Sequence, residues 1–97
     1  MGEVEVSSWI TGHHVYKRIW TPRIGEEMNG RAYRNPKDPR AVGVFNGSTL
    51  VGHAPREQKE RFFRHLKNGR NMKVIVTGGR DNVRLRGLEV PATYILM

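Results

Sequence analysis

A strand–turn–strand unit that leads directly into a helix is the feature that most constrains this chain. Residues 41–45 are apolar and β-prone, Asn46-Gly47 is typical of two-residue hairpin turns, and residues 48–52 resume the strand pattern. Pro55 then fits the first position of a helix, where its missing N–H leaves no bond unmade. These residues therefore predict a β-hairpin followed by a helix.

The residues from Arg56 onward have the pattern of a helix with one apolar side. Phe62, Phe63 and Leu66 form an apolar stripe, and pairs of opposite charge stand four residues apart beside it. Asn68-Gly69 is a typical helix stop. We therefore predict one helix that begins near Arg56 and ends at Asn68-Gly69.

Other segments have strand character, and Gly12 separates the first two with a bend or bulge. They are residues 4–10, 13–19, 25–33, 72–77 and 88–96. Pro91 favours an edge position or a bulge for the last of them. Five to seven short strands and one helix predict a mainly β fold, a small barrel of the oligonucleotide-binding (OB) fold-like or SH3-like kind. We expect residues 1–97 to form a single domain.

The charge balance narrows the classes of partner. The chain has 17 Lys and Arg against 9 Asp and Glu, a net charge of +8, which favours phosphate polymers, anionic membrane surfaces or acidic protein tails. The absence of cysteine excludes a disulfide scaffold, a thiolate zinc site and a cysteine nucleophile. No apolar run is long enough to span a bilayer, and no signal peptide is evident. We expect an intracellular protein with no membrane partner, nuclear in a eukaryotic source.

Basic residues concentrate between Arg56 and Arg86, where ten Lys and Arg accompany three Asp and Glu. On the helix they are explained equally well by a solvated, salt-bridged face and by phosphate contacts. Arg80, Arg84 and Arg86 lie in a glycine-flanked loop whose nearest carboxylate is Asp81. The planar fork of arginine suits phosphate, so we predict nucleic-acid contacts for this loop.

Three aromatic side chains are candidates for stacking on nucleic-acid bases, which contributes about 1–3 kcal/mol per base. They are Tyr16, Trp20 and Tyr33, and core packing is the alternative role for each. Tyr16 is the best candidate because His14 and Lys17 surround it with polar neighbours.

The sequence gives little support for a metal site or for catalysis. The four histidines, His13, His14, His53 and His65, have no recognised ligand spacing, so we expect no metal and no cofactor. Asp38 and His53 form an acid–base pair on paper, but no nucleophile motif accompanies them. We expect a binding domain and not an enzyme.

Four motifs in order resemble the HIRAN domain, over about residues 9–94. They are Ile10-Thr11-Gly12 through Tyr16, Gly25-Glu26-Glu27-Met28, Asn35-Pro36-Lys37-Asp38 with Ala41-Val42-Gly43-Val44, and Val51-Gly52-His53 with Pro55-Arg56-Glu57. The resemblance implies a modified OB-fold barrel that binds single-stranded DNA and holds its free 3′-hydroxyl end. HIRAN domains occur at the N-terminus of some Swi/Snf-type ATPases, where they help replication-fork reversal in DNA repair, and as stand-alone modules elsewhere. This chain has no ATPase motor, so any remodelling of DNA would need a larger parent protein or a motor partner.

The resemblance carries roles to particular positions. Asn35 and Asp38 match a polar pair that holds the terminal nucleotide, while His53 and Arg56 match positions near backbone phosphates. Tyr16 matches the second of two tyrosines, and His14 matches an arginine just before them. The chain departs from the family pattern at three further positions: Val15 replaces the first tyrosine, Leu88 replaces a late aromatic residue, and Arg40 replaces a common asparagine.

The predicted binding residues are His14, Tyr16, Lys17, Asn35, Asp38, His53, Arg56, Arg84 and Arg86. Two other kinds of binding remain open at this point, namely duplex DNA or RNA without end recognition, and acidic peptides docked at the barrel edge. A small hydrolase would instead need an enclosed pocket around Asp38 and His53.

Overall fold

Alternation of buried and half-exposed residues builds the strands, as the last one shows. Val90, Ala92, Tyr94 and Leu96 are buried and the residues between them are partly exposed, which is the period of two expected of a strand with one core face. The computed structural model describes residues 2–81 and 87–97. Its elements are β1 (Val4–Ile10), α1 (His13–Tyr16), β2 (Glu27–Ala32), β3 (Val42–Asn46), β4 (Thr49–His53), α2 (Arg56–Lys67), β5 (Met72–Val76) and β6 (Val90–Leu96).

The strands form one antiparallel sheet that closes on itself. Their order is β1-β6-β5-β2-β3-β4, which leaves β1 and β4 at the two edges. Just beyond β1, the Thr11 N–H donates to the His53 carbonyl at 2.8 Å, and the His53 N–H donates back to Thr11 at 3.1 Å. This bridge joins the two edges into a barrel, so the predicted mainly β barrel is confirmed.

Helix α2 packs one aromatic ring into the core. Phe62 is fully buried, and its ring centroid lies 4.7 Å from that of Tyr94 in β6. The Tyr94 hydroxyl donates to the Trp9 carbonyl at 2.7 Å, so the one polar atom of this buried ring is satisfied. The helix begins directly after Pro55 and ends at Lys67; Asn68 is its C-cap and Gly69 follows at φ 79°, so the stop predicted at Asn68-Gly69 is found.

The strand predicted for residues 13–19 is wrong. Gly12 takes a left-handed φ of 75°, and the chain turns into the single helical turn α1, in which the Val15 N–H donates to Gly12 at 3.0 Å. Within residues 2–81 and 87–97, no strand pairs with residues 13–19. Trp20 is 5% exposed and its Nε1 donates to the Glu26 carboxylate, so it anchors the segment in the core and is not a stacking surface.

Pro91 occupies neither an edge strand nor a bulge, which corrects the sequence prediction. Strand β6 lies between β1 and β5, and Pro91 pairs in register with Trp9. Its carbonyl accepts from Thr77, one residue beyond the last residue of β5, at 2.9 Å. The polar groups of Pro91 therefore face β5 where that ladder ends, and the missing N–H interrupts no bond to β1.

Candidate functional site

The turn between β2 and β3 is fixed by its own polar side chains. Asn35 Oδ1 accepts from the Lys37 N–H at 3.0 Å, and Asp38 Oδ1 accepts from the Arg40 N–H at 3.1 Å. The Asp38 N–H in turn donates to the Asn35 carbonyl at 3.1 Å. These are the local bonds that Asn and Asp make in turns. One oxygen of Asp38 is thereby used by the backbone, and the other is directed elsewhere.

Helix α2 binds the outward oxygen of Asp38. Lys59 Nζ donates to Asp38 Oδ2 at 3.0 Å, and both side chains are about one-third exposed. This bond and the one from the Arg40 N–H lower the pKa of Asp38, so its carboxyl group is ionised at neutral pH. A second ion pair between Arg40 and Glu60 is well exposed and contributes less. The turn and the helix are therefore held together at Asp38.

His53 is connected to the same turn through a tyrosine. Tyr33 Oη and His53 Nε2 form a hydrogen bond, and Asn35 Nδ2 donates to Tyr33 Oη at 3.3 Å. Burial lowers the pKa of His53, and the nearby Asp38 carboxylate opposes that effect in part. The imidazole is therefore neutral at pH 7 and above.

Two aromatic rings lie near the His53 ring. The Tyr16 centroid lies 6.1 Å from that of His53, and the Tyr33 centroid lies 5.7 Å away. Phe45 meets Tyr33 edge-on at 5.8 Å. The half-buried Tyr16 ring, supplied by α1, thus lies beside the cleft residue His53.

These elements surround a cleft of about 690 Å³, here named the Asp38 cleft. Its described lining residues are Thr11, Asp38, Ala41, Val42, His53, Ala54, Arg56, Glu57, Lys59 and Glu89. Three of them carry carboxyl groups (Asp38, Glu57 and Glu89) and two are permanent cations (Arg56 and Lys59). Within the described chain, the cleft is thus richer in acidic than in basic groups, although the whole protein carries +8.

Only some of the binding residues predicted from the sequence lie at this cleft. Asp38, His53 and Arg56 line it, and Asn35 reaches it through Tyr33. His14 and Lys17 are exposed on α1 and directly after it. The predicted residues Arg84 and Arg86 lie outside the described residues.

Sequence reasoning missed two cleft residues, Lys59 and Glu89. Lys59 resembles any charged helix residue, and only the docking of α2 against the turn brings it to Asp38. Glu89 is 1% exposed and directly precedes β6. The one signal for it was an acidic residue in the otherwise apolar run Leu88-Glu89-Val90, since buried carboxyl groups are rare in strands.

Within residues 2–81 and 87–97, no three His, Asp or Glu side chains are grouped so that they could hold a metal ion. No helix in the described chain has the length and apolarity needed to cross a membrane.

Comparison with known proteins finds this fold in two solved structures. The HIRAN domain of human HLTF superimposes with a TM-score of 0.76 at 19% identity, covering 98% of this chain and 78% of that one. A protein from Lactobacillus plantarum superimposes with a TM-score of 0.66 at 18% identity, covering 99% and 100% of the two chains. No protein-family model matches the sequence, and no curated protein matches it. The chain therefore has the HIRAN fold, and the resemblance seen in the sequence is confirmed at the level of the fold.

Proposed function

We propose that this domain binds single-stranded DNA and holds a free 3′-hydroxyl end in the Asp38 cleft. The observation that supports the proposal is an ionised carboxylate, Asp38, in a cleft of a strongly basic protein. A net charge of +8 attracts a polyanion, while the ionised Asp38 carboxylate disfavours a phosphate group at its own position in the cleft. A strand end that carries a hydroxyl instead of a phosphate fits both conditions.

The chemistry of Asp38 suits a terminal hydroxyl. An ionised carboxylate accepts up to about four hydrogen bonds, and the described bonds to Asp38 are those from Lys59 and the Arg40 N–H. A hydroxyl can therefore donate to Asp38 without displacing either bond. Lys59 and Arg56 would then meet the phosphate that precedes the last nucleoside.

The remaining predicted residues contact the terminal base and later phosphates in this proposal. The Tyr16 ring beside His53 would stack on the terminal base. Val15 and Leu88 would add no second stacking surface, because they lack aromatic faces. His14 and Lys17 would contact later phosphates. We also propose phosphate contacts for Arg84 and Arg86, because the sequence places them in a basic, glycine-flanked loop.

The proposed activity is binding and not catalysis. Any remodelling of DNA would then be the task of a larger parent protein or a motor partner. We propose an intracellular location because the proposed ligand is DNA, and a nuclear location in a eukaryotic source.

A titration with matched oligonucleotides tests the proposal. Fluorescence anisotropy would compare a single strand ending in a 3′-hydroxyl, the same strand ending in a 3′-phosphate, and duplex DNA and RNA of equal length. We expect the first to bind most tightly. Contacts to about three to five phosphates would give a log–log salt slope of roughly −2 to −4, at about 0.7 per contact.

Asp38→Asn is the sharpest variant for end recognition. The amide retains an oxygen for the Arg40 N–H, so the turn persists while the charge is lost. The hydroxyl end should lose about 1.5–3 kcal/mol, the usual worth of a hydrogen bond to a charged group, and the phosphate end should lose less. Glu60→Gln is the matched control, because Glu60 is acidic and pairs with the turn but does not line the cleft.

The possible outcomes separate the parts of the proposal. Equal affinity of the unmutated protein for both ends would refute end recognition and leave strand binding intact. Equal affinity for single strands and duplexes would favour the duplex alternative. An absence of binding at low salt would refute the nucleic-acid function.

A further inference from the structure

A chain of hydrogen bonds runs from the loop between β2 and β3 to the cleft, through two side chains of that loop and one of β4. Asn35 Nδ2 donates to Tyr33 Oη at 3.3 Å, and Tyr33 Oη bonds to Nε2 of His53, which lines the Asp38 cleft. Asn35 and Tyr33 do not line the cleft among the described residues. Their effect on a ligand would therefore pass through His53.

The orientation of the Asn35 amide is fixed by the backbone. Its Oδ1 accepts from the Lys37 N–H at 3.0 Å, so the NH₂ group is the part that faces Tyr33. An amide nitrogen only donates, which makes the Tyr33 oxygen the acceptor of that bond. The phenolic proton of Tyr33 must then be donated to another group.

His53 Nε2 is the acceptor that the structure offers for the phenolic proton. The described chain gives Tyr33 Oη no other partner than Asn35 and His53. If Nε2 instead carried a proton and donated it to Tyr33, the phenolic proton would be left without an acceptor in a partly buried site. Such an unmade bond is unfavourable. The arrangement therefore favours a bare Nε2 and a protonated Nδ1.

We infer that Tyr33, oriented by Asn35, is a positioning residue that holds the neutral His53 in its Nδ1–H tautomer and so presents an N–H donor to the ligand of the Asp38 cleft. The imidazole Nδ1 lies toward Gly12, 3.8 Å from where a Cβ of that glycine would stand, and has no described hydrogen-bond partner. An uncharged donor can bond a sugar or phosphate oxygen without adding a cation to the cleft. The donor role rests on the proposed function, whereas the tautomer does not.

The same geometry changes the roles that the family resemblance suggested. Asn35 would act on the ligand through two hydrogen bonds and not by contact with the terminal nucleotide. Tyr33 would not be a stacking surface, since its ring packs edge-on against Phe45 and close to Gly43.

Nitrogen NMR of the histidine rings tests the tautomer without any DNA. At pH 7.5 we expect the His53 Nδ1 resonance in the protonated range and the Nε2 resonance in the unprotonated range. Tyr33→Phe keeps the ring but removes the hydroxyl, so both resonances should move toward values for mixed tautomers. Phe45→Leu is the control, because it removes a neighbouring ring and leaves the hydrogen bonds in place.

Asn35→Asp provides a second and opposite test. The substitution keeps an acceptor for the Lys37 N–H but replaces the donor that faces Tyr33 by a carboxylate oxygen. The phenolic proton should then turn to position 35, and His53 should become protonated at Nε2. This reversal occurs only if the tyrosine sets the tautomer.

Strand binding tests the donor role separately. Tyr33→Phe should weaken binding of a 3′-hydroxyl strand roughly 2- to 12-fold, the worth of one neutral hydrogen bond. A protonated Nε2 in the unmutated protein, or unchanged nitrogen shifts in Tyr33→Phe, would overturn the inference. Failure of the unmutated protein to bind DNA would refute the proposed function and leave the tautomer assignment standing.

Discussion

The point at which the barrel closes allows a quantitative test at a single glycine. Gly52 lies in β4, one residue before the bridge between His53 and Thr11. A Cβ at position 52 would overlap Cγ2 of Ile10 and lie 3.1 Å from the Thr11 carbonyl oxygen. Ile10 is fully buried and the carbonyl belongs to the backbone, so neither can move aside easily. Gly52→Ala should therefore force β1 and β4 apart.

The expected loss follows from the usual cost of overpacking a core. One extra methyl group that displaces a packed side chain typically costs about 1–3 kcal/mol. A domain of this size loses about 4–8 °C in melting temperature per kcal/mol, so the midpoint should fall by roughly 4–24 °C. Gly30→Ala is the matched control. Its new Cβ would overlap Cε of Met72, the free end of a flexible side chain, so the loss should be smaller.

Thermal unfolding followed by circular dichroism measures both variants. Because His53 follows Gly52 directly, Gly52→Ala should also weaken binding of a single strand below its melting range, whereas Gly30→Ala should not. Equal melting temperatures for the two alanine variants would show that the bridge is not a tightly packed closure, and would refute the reasoning.

Three further predictions concern the segment around α1. Burial lowers the pKa of His13 below its ordinary 6.5, so the unfolded chain binds more protons at acid pH; stability should be complete above about pH 6.5 and fall below it. His13→Phe should make the melting temperature depend less on pH between 7.5 and 5. An unchanged dependence would contradict this cause; some dependence should remain, because the lowered pKa of His53 acts in the same direction. Tyr16→Ala should weaken strand binding by about 1–3 kcal/mol in an anisotropy titration, and unchanged affinity would leave phosphate contacts as the main interaction. Val15→Tyr should strengthen binding without lowering the melting temperature, because Val15 is 66% exposed; a lower melting temperature would show that the residue is packed.

Local chemistry explains what could be predicted about the fold. The hairpin turn at Asn46-Gly47 and the helix limits at Pro55 and Gly69 depend on backbone preferences of the residues themselves, and each is found within a residue of its predicted place. The prediction of a strand at residues 13–19 was wrong because a strand forms only where another strand lies beside it to accept and donate the backbone hydrogen bonds. Alternation along a segment contains no information about whether another strand lies beside it.

The candidate site also contains contacts that local sequence predicts and contacts that it does not. The Asn35–Asp38 turn was predictable because both side chains bond to nearby backbone. The bond from Lys59 to Asp38 joins residues 21 positions apart and depends on how α2 docks. The bond between Tyr33 and His53 depends on the register of three strands, in which His53 pairs with Gly43. Contacts of this kind follow from the assembled barrel and not from any local pattern.

The position of the ionised Asp38 carboxylate in a cleft of a basic protein has a kinetic consequence. The charge of the whole molecule governs how fast a polyanion arrives, so the association rate constant should fall steeply with salt. The groups of the cleft act only after arrival, so the chemistry of the strand end should change the dissociation rate constant and leave association nearly untouched. On the proposed function, the domain would meet any stretch of a strand quickly, release internal stretches quickly, and dwell at an end.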